Sequence, residues 1–227
     1  MRFNSYKELP PLEATTKETG RVYHTPDGDY PSITTILGKT ANNIWLAKWR
    51  EKVGEIEASR ISKIATDRGT LVHDYQERFW NGEDIMPRLV KEKLDVIQMV
   101  NSLLSVSQKR ITRVRAQEVA VWSPSLMCAG RVDKFCDWDN IPACLDYKTA
   151  KKLKTDTKDY KLQITFYAVA HNELFPNEVI NKGVIMIAVE NKDAPQIIEF
   201  DHRPFVPELK YRINDYYKNY HGKNLSD

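Results

Sequence analysis

"LDYKTAKK", residues 145–152, closes a short apolar run with a carboxylate and an ammonium one residue apart, and Lys151, Lys152 and Lys154 follow. In an extended chain alternate side chains share a face, so Asp146 and Lys148 point one way and Tyr147 the other. Two similar runs precede this one, "VRAQEVAVW" and "MCAGRVDKFCDW", set apart by Ser-Pro-Ser and Asp-Asn-Ile-Pro. Strand-like runs divided by turn residues predict an antiparallel meander. A turn centred on Asp139-Asn140 makes Asp133 face Asp146 and Arg131 face Lys148. Two carboxylates with Cβ atoms ~5 Å apart repel unless a proton or cation sits between them, and a divalent metal is the natural occupant. Lys148 could then orient an attacking water or stabilise charge on a phosphate. A solvated ladder pairing Asp133 with Arg131 and Asp146 with Lys148 accounts for the same residues, and on these two strands alone it is the simpler reading.

Outward from the meander the periodicity changes. Towards the N-terminus, "RVYHTPDGDYPSITTIL" is β-rich and broken by Pro26-Asp27-Gly28, which predicts a hairpin over 21–36. Helices are expected near 43–62, 64–81 and 87–107, the last from Val90, Leu94, Ile97 and Leu104 at helical spacing. After the meander come a helix from about Thr157 to Leu174, strands "GVIMIAVE" and "QIIEF", and a helix near 207–220. No repeat or linker interrupts the chain, so the expectation is one α/β domain over 1–227. Residues 1–110 would form a hairpin and helical cover, and 111–227 a sheet core with a C-terminal helix.

Composition sets the class but not the function. With 41% hydrophobic residues, 227 residues suffice for a substantial core. A formal charge of +3 is too mild to indicate nucleic acid by itself. Cys128, Cys136 and Cys144 have neither the number nor the spacing of a four-thiolate cluster and read as small buried residues. The N-terminus resembles no signal peptide or Arg-rich transit segment, and no apolar stretch approaches the ~20 residues that span a bilayer. A soluble intracellular protein, without membrane contact, is expected.

Further polar residues gather around the meander in sequence order. His73 lies in the helical stretch "DRGTLVHDYQERF", where a lone His is commonly a packed or surface group. Glu118 falls opposite Arg131 if the first hairpin turns at Pro124-Ser125, as a supporting acid or as an ion-pair partner. Gln163 and Tyr167 are four apart on the following helix and hence on one face.

This order resembles the PD-(D/E)xK nuclease superfamily, in particular its RecB-type branch, in which a helical His precedes a GxxD strand, then DxK, then QxxxY. Here these read "GTLVH" ending at His73, "GRVD" ending at Asp133, "DYK" at 146–148, and "QITFY" from Gln163 to Tyr167. "PSITTIL", "GRVD", "LDYKT" and "LQITFYA" together look like the mitochondrial genome maintenance exonuclease group, over most of residues 31–220. The resemblance implies an α-β-β-β-α-β core with a helical N-terminal elaboration. It implies that Asp133 and Asp146 are metal ligands, with the main-chain carbonyl of Tyr147 and the His73 side chain completing the site. Lys148 would be the catalytic lysine, Gln163 and Tyr167 would hold substrate or support the ligands, and Glu118 matches an acidic position on the preceding strand.

Magnesium suits the oxygen donors, whereas the imidazole favours manganese; no iron–sulfur cluster is expected. Lys151 and Lys152, with Lys154, could meet phosphates or simply be solvated. Thr34 and Thr35 could offer hydroxyls to a nucleic-acid backbone, although Thr also favours strands for conformational reasons. The function expected is a metal-dependent DNA exonuclease acting on single strands or frayed ends. A catalytically silent DNA-binding module that partners a helicase or recombinase is the alternative.

Overall fold

The structure, a computed structural model, describes residues 2, 3, 5–42 and 44–221. Its N-terminal sheet contains β1 (Glu13–Lys17), β2 (Gly20–Thr25) and β3 (Gly28–Pro31), all antiparallel. Helices α1 (Ile33–Thr40), α2 (Ile44–Val53), α3 (Glu55–Trp80), α4 (Met86–Leu89) and α5 (Leu94–Arg110) follow. The meander is β4 (Ile111–Ser123), β5 (Cys128–Trp138) and β6 (Ile141–Ala150). Then come α6 (Lys158–Leu174), β7 (Lys182–Val189), β8 (Gln196–Asp201) and α7 (Val206–Asn219). The larger sheet has the order β4-β5-β6-β7-β8, antiparallel except for β6 and β7, which are parallel and joined through α6. The fold is of the expected mixed α/β class, and from α5 to β7 the chain runs α-β-β-β-α-β.

Both faces of this sheet are covered, which is why β6 and β7 bury apolar residues on both of their sides. On β6 and β7, Cys144, Ile185 and Ile187 pack with α1, α6 and α7, while Leu145, Tyr147, Val184 and Met186 pack with α3 and α5. The alternation places Asp146 and Lys148 on the α6 face and the Tyr147 ring on the α3 face. Helix α6 crosses the first face closely, since a Cβ on Gly130 would stand 2.8 Å from Tyr167 Cε1, and one on Gly183 would stand 2.6 Å from Ile164 Cγ2. The glycine of "GRVD" is thus a packing requirement.

Local expectations needed correction. The predicted hairpin over 21–36 ends at Pro31, and it gains a third strand, β1, from residues before it for which no strand was expected. "SITTIL" is helical because Ser32 caps α1, its side chain accepting from Thr35 N, so Thr34 and Thr35 sit on a helix and not in a strand. The break expected near residue 63 lies at Gly54, whose φ of 88° interrupts the helix between α2 and α3. Asn43, the expected first residue of that helical stretch, lies outside the described residues. The stretch 87–107 is split into α4 and α5, leaving Val90 and Leu94 exposed instead of on a buried stripe.

Candidate active site

The β5–β6 turn has two residues, with Asp139 and Asn140 both at positive φ, so the register is the expected one, Lys134 opposite Leu145. The ladder ends there. Asp133 and Asp146, expected to oppose each other next, are not paired, because the strands part at this point: β5 stays with β4 and β6 with β7. Arg131 likewise does not face Lys148; it pairs with Ala120 across the β4–β5 ladder. The Asp133 carboxylate crosses the gap and accepts a 2.7 Å hydrogen bond from Tyr147 N, supplying the partner that the missing strand pair would have given.

The β4–β5 hairpin turns through the residues between Ser123 and Cys128, with Met127 at positive φ, so its loop is longer than a turn at Pro124-Ser125 requires. This shifts the register by two residues and corrects the expectation that Glu118 opposes Arg131. Arg131, which is exposed, donates instead to the Glu118 main-chain carbonyl at 3.0 Å. Glu118 adopts a φ of 49°, a strained conformation for a non-glycine residue. One ligand atom from each of His73, Glu118 and Asp133 lies within 4.8 Å of the others, the one grouping of this kind among the described residues.

Helix α3 supplies the wall opposite the strands. Gly69, Thr70, His73, Asp74 and Glu77 recur at helical spacing and line a cleft of about 520 Å³ together with Glu118, Asp133 and Arg21 of β2. His73 Nδ1 stands 3.4 Å from Asp133 Oδ2. Burial pulls His73 down, but the Asp133 carboxylate outweighs it and holds the imidazole at about 9. Burial raises Asp133, and His73, Lys148 and the Tyr147 amide together bring it below the usual carboxylate range. Burial, reinforced by the charges of Asp133 and Glu77, pushes Glu118 up to about 7.

Asp146 is 2% exposed. Its Oδ2 lies 2.5 Å from Lys148 Nζ, and its Oδ1 accepts from Gln163 Nε2 at 3.2 Å. Gln163 Nε2 also meets the Tyr167 hydroxyl at 2.9 Å, so the two α6 residues act together on Asp146. Burial raises Asp146 to about 6 against the pull of Lys148. Burial lowers Lys148, and Asp146 with Asp133 more than restores it, leaving a protonated ammonium. Tyr147 is buried, with its ring edge-on to His73. Lys151 and Lys152 are exposed where the chain leaves β6.

The two carboxylates are not a strand pair: Asp133 groups with His73 and Glu118, while Asp146, on which the Asp133 charge still acts, is held by Lys148, Gln163 and Tyr167. Arg21, Asp74 and Glu77 were not anticipated as parts of the cleft. For Asp74 and Glu77 the signal was present, since both follow from the helical spacing that places His73 on this face of α3. No local signal marks Arg21.

No protein-family model matches the chain. Mitochondrial genome maintenance exonuclease 1 of Xenopus tropicalis is 27% identical over 183 residues, 74% of this chain and 51% of that protein. The chain therefore spans about half the length of the curated relative it matches. Among solved structures, a candidate exonuclease from Eubacterium rectale shares 11% identity at a TM-score of 0.44, over 70% of this chain and 76% of the other. The protein SSO0001 shares 14% at 0.41, over 79% and 72%. In sequence, most of this chain is similar to part of an exonuclease.

Proposed function

We propose that the chain is a metal-dependent deoxyribonuclease of the PD-(D/E)xK superfamily, RecB-type branch, that hydrolyses single-stranded DNA from a free terminus. The observation that carries this reading is the grouping of His73, Glu118 and Asp133 on an open cleft, with a half-buried Lys148 near enough for its charge to act on His73 and Asp133. The sequence likeness to an exonuclease supports it.

The donors fit a divalent cation. An imidazole and two carboxylates converge within 4.8 Å, and burial with like charge raises Glu118, a repulsion that a divalent cation would relieve. His73, Glu118 and Asp133 would hold Mg²⁺ or Mn²⁺, with Asp146 and the Tyr147 carbonyl beside them. When bound, such an ion neutralises charge on a phosphodiester and acidifies a bound water. The chain's own residues do the rest. Lys148, kept protonated by Asp146, presents a compact positive charge to a phosphate oxygen. Gln163 and Tyr167 fix Asp146 and thereby the direction of Lys148. The Tyr147 amide holds Asp133 Oδ2, the oxygen that also faces His73, and so fixes the carboxylate in the cleft.

The ion pair of Lys148 with Asp146 is also what a silent DNA-binding module would retain. End-labelled single-stranded DNA incubated with Mg²⁺, Mn²⁺ or chelator separates the two. The wild type should degrade the DNA with metal only, and Lys148→Ala should be slower by on the order of 100-fold or more. DNA surviving every wild-type condition would refute the enzyme and leave the binding module.

A further inference from the structure

Behind Lys148 lies a second pocket of about 360 Å³, separate from the acidic cleft and lined by Asn42, Trp45, Thr157, Tyr160 and Arg212 among others. Trp45, at the start of α2, is 67% exposed, although a side chain of its size and apolarity is ordinarily covered. Trp122 and Trp138 are fully buried, and Trp49 and Trp80 are half-buried. Tyr160, in the first turn of α6, contributes the second aromatic wall.

The pocket's cations are already matched. Arg212 donates to Asp159 at 3.0 Å, to Thr40 at 2.6 Å and to the Leu37 carbonyl at 2.7 Å. Lys158 pairs with Glu208 at 2.7 Å, and Asp156 accepts from Lys158 N at 3.0 Å. A phosphate finds both cations of the pocket, Arg212 and Lys158, already paired. A flat, neutral ring with polar edges finds aromatic walls and the polar groups of Asn42 and Thr157. The pocket also adjoins the phosphate chemistry, because Lys148 Nζ lies 5.4 Å from the centre of the Tyr160 ring. The exposed Lys151, Lys152 and Lys154 leave β6 next to Lys148, where a DNA backbone would find positive charge.

We propose that this pocket receives an unpaired nucleobase of the strand whose phosphate lies at Lys148, stacked on Trp45. The proposal rests on the nuclease reading and deepens it: a base drawn into an aromatic pocket must be free of its complement, so the pocket selects single-stranded DNA.

The test uses the full chain in chelator, so that nothing is cut, with an oligothymidylate and an abasic oligomer of equal length as probes. Oligothymidylate should quench the tryptophan emission of the wild type, and the abasic oligomer should bind more weakly and quench less. Trp45→Ala should lose on the order of tenfold in affinity for oligothymidylate only, a stacked base contributing roughly 1–3 kcal/mol. Trp45→Phe, which keeps a ring, should retain most of the affinity but not the quenching. Unchanged Mn²⁺ binding in Trp45→Ala would show that the fold and the acidic cleft are intact. Wild-type affinity in Trp45→Ala would overturn the proposal and make Ile44 and Trp45 a surface for a protein partner. A wild type that binds neither oligomer would refute the nuclease reading itself.

Discussion

Lys134 is 1% exposed, and its Nζ has no hydrogen-bond partner among the described residues; it lies 4.8 Å from the centre of the Trp80 ring and 5.4 Å from that of Tyr147. Burial lowers this ammonium from 10.5 to about 8, and the nearby acids Asp133, Glu118 and Glu77 keep it from falling further. Because the folded value is below the unfolded one, the unfolded chain binds more protons between the two, and stability rises with pH across that window. The rise amounts to roughly 3 kcal/mol at most. Lys134→Met should remove it, while leaving stability at pH 7 equal or greater, since an apolar isostere has no charge to desolvate. Urea unfolding of both proteins at pH 7 and above pH 9 measures this, and a variant much weaker at pH 7 would mean that the ammonium stabilises the fold. No sequence signal marks Lys134 as buried, since the Trp80 ring that stands over it lies more than fifty positions away on α3.

At the scale of elements, α6 decides where Asp146 and Lys148 point. Gly130 lets Tyr167 and Phe166 approach β5, and Tyr167 is tied through Gln163 to Asp146. Gly130→Ala would crowd the Tyr167 ring and should cost ~1–3 kcal/mol, read as a lower denaturant midpoint. An unchanged midpoint would mean that α6 shifts freely and does not fix Asp146. The alternation of β6 and the turn at Asp139-Asn140 made most of this packing legible, because a two-residue turn sets register rigidly. The β4–β5 register was not legible. It depends on the left-handed conformation of Met127, which a sequence of ordinary residues does not announce, and with it went the position of Glu118. Helix α1 was hidden for a related reason: its β-branched residues favour a strand, and one Ser32 cap reverses the outcome.

Across the whole molecule, α3 and α6 clasp the point where β5 and β6 part, one bringing His73 and the other Gln163. No helix among the described residues is long and apolar enough to cross a membrane. On the proposed function, helices on both sides of the parted strands would admit a flexible single strand entering by its end more readily than an ~20 Å duplex. Linear single-stranded DNA should therefore be degraded under conditions in which its circular form survives, and efficient cutting of the circle would refute entry from an end. The order His, Asp, Asp-x-Lys, Gln-x-x-x-Tyr was legible as a constellation, but its division into two groups was not, because that depends on where the strands separate. The central claim is that His73, Glu118 and Asp133 hold one divalent cation. Calorimetric titration of Mn²⁺ into the wild type, Glu118→Gln and Asp133→Asn tests it most directly. A single site in the wild type, weakened by on the order of tenfold or more in each variant, is the predicted result; undiminished affinity in both variants would contradict it.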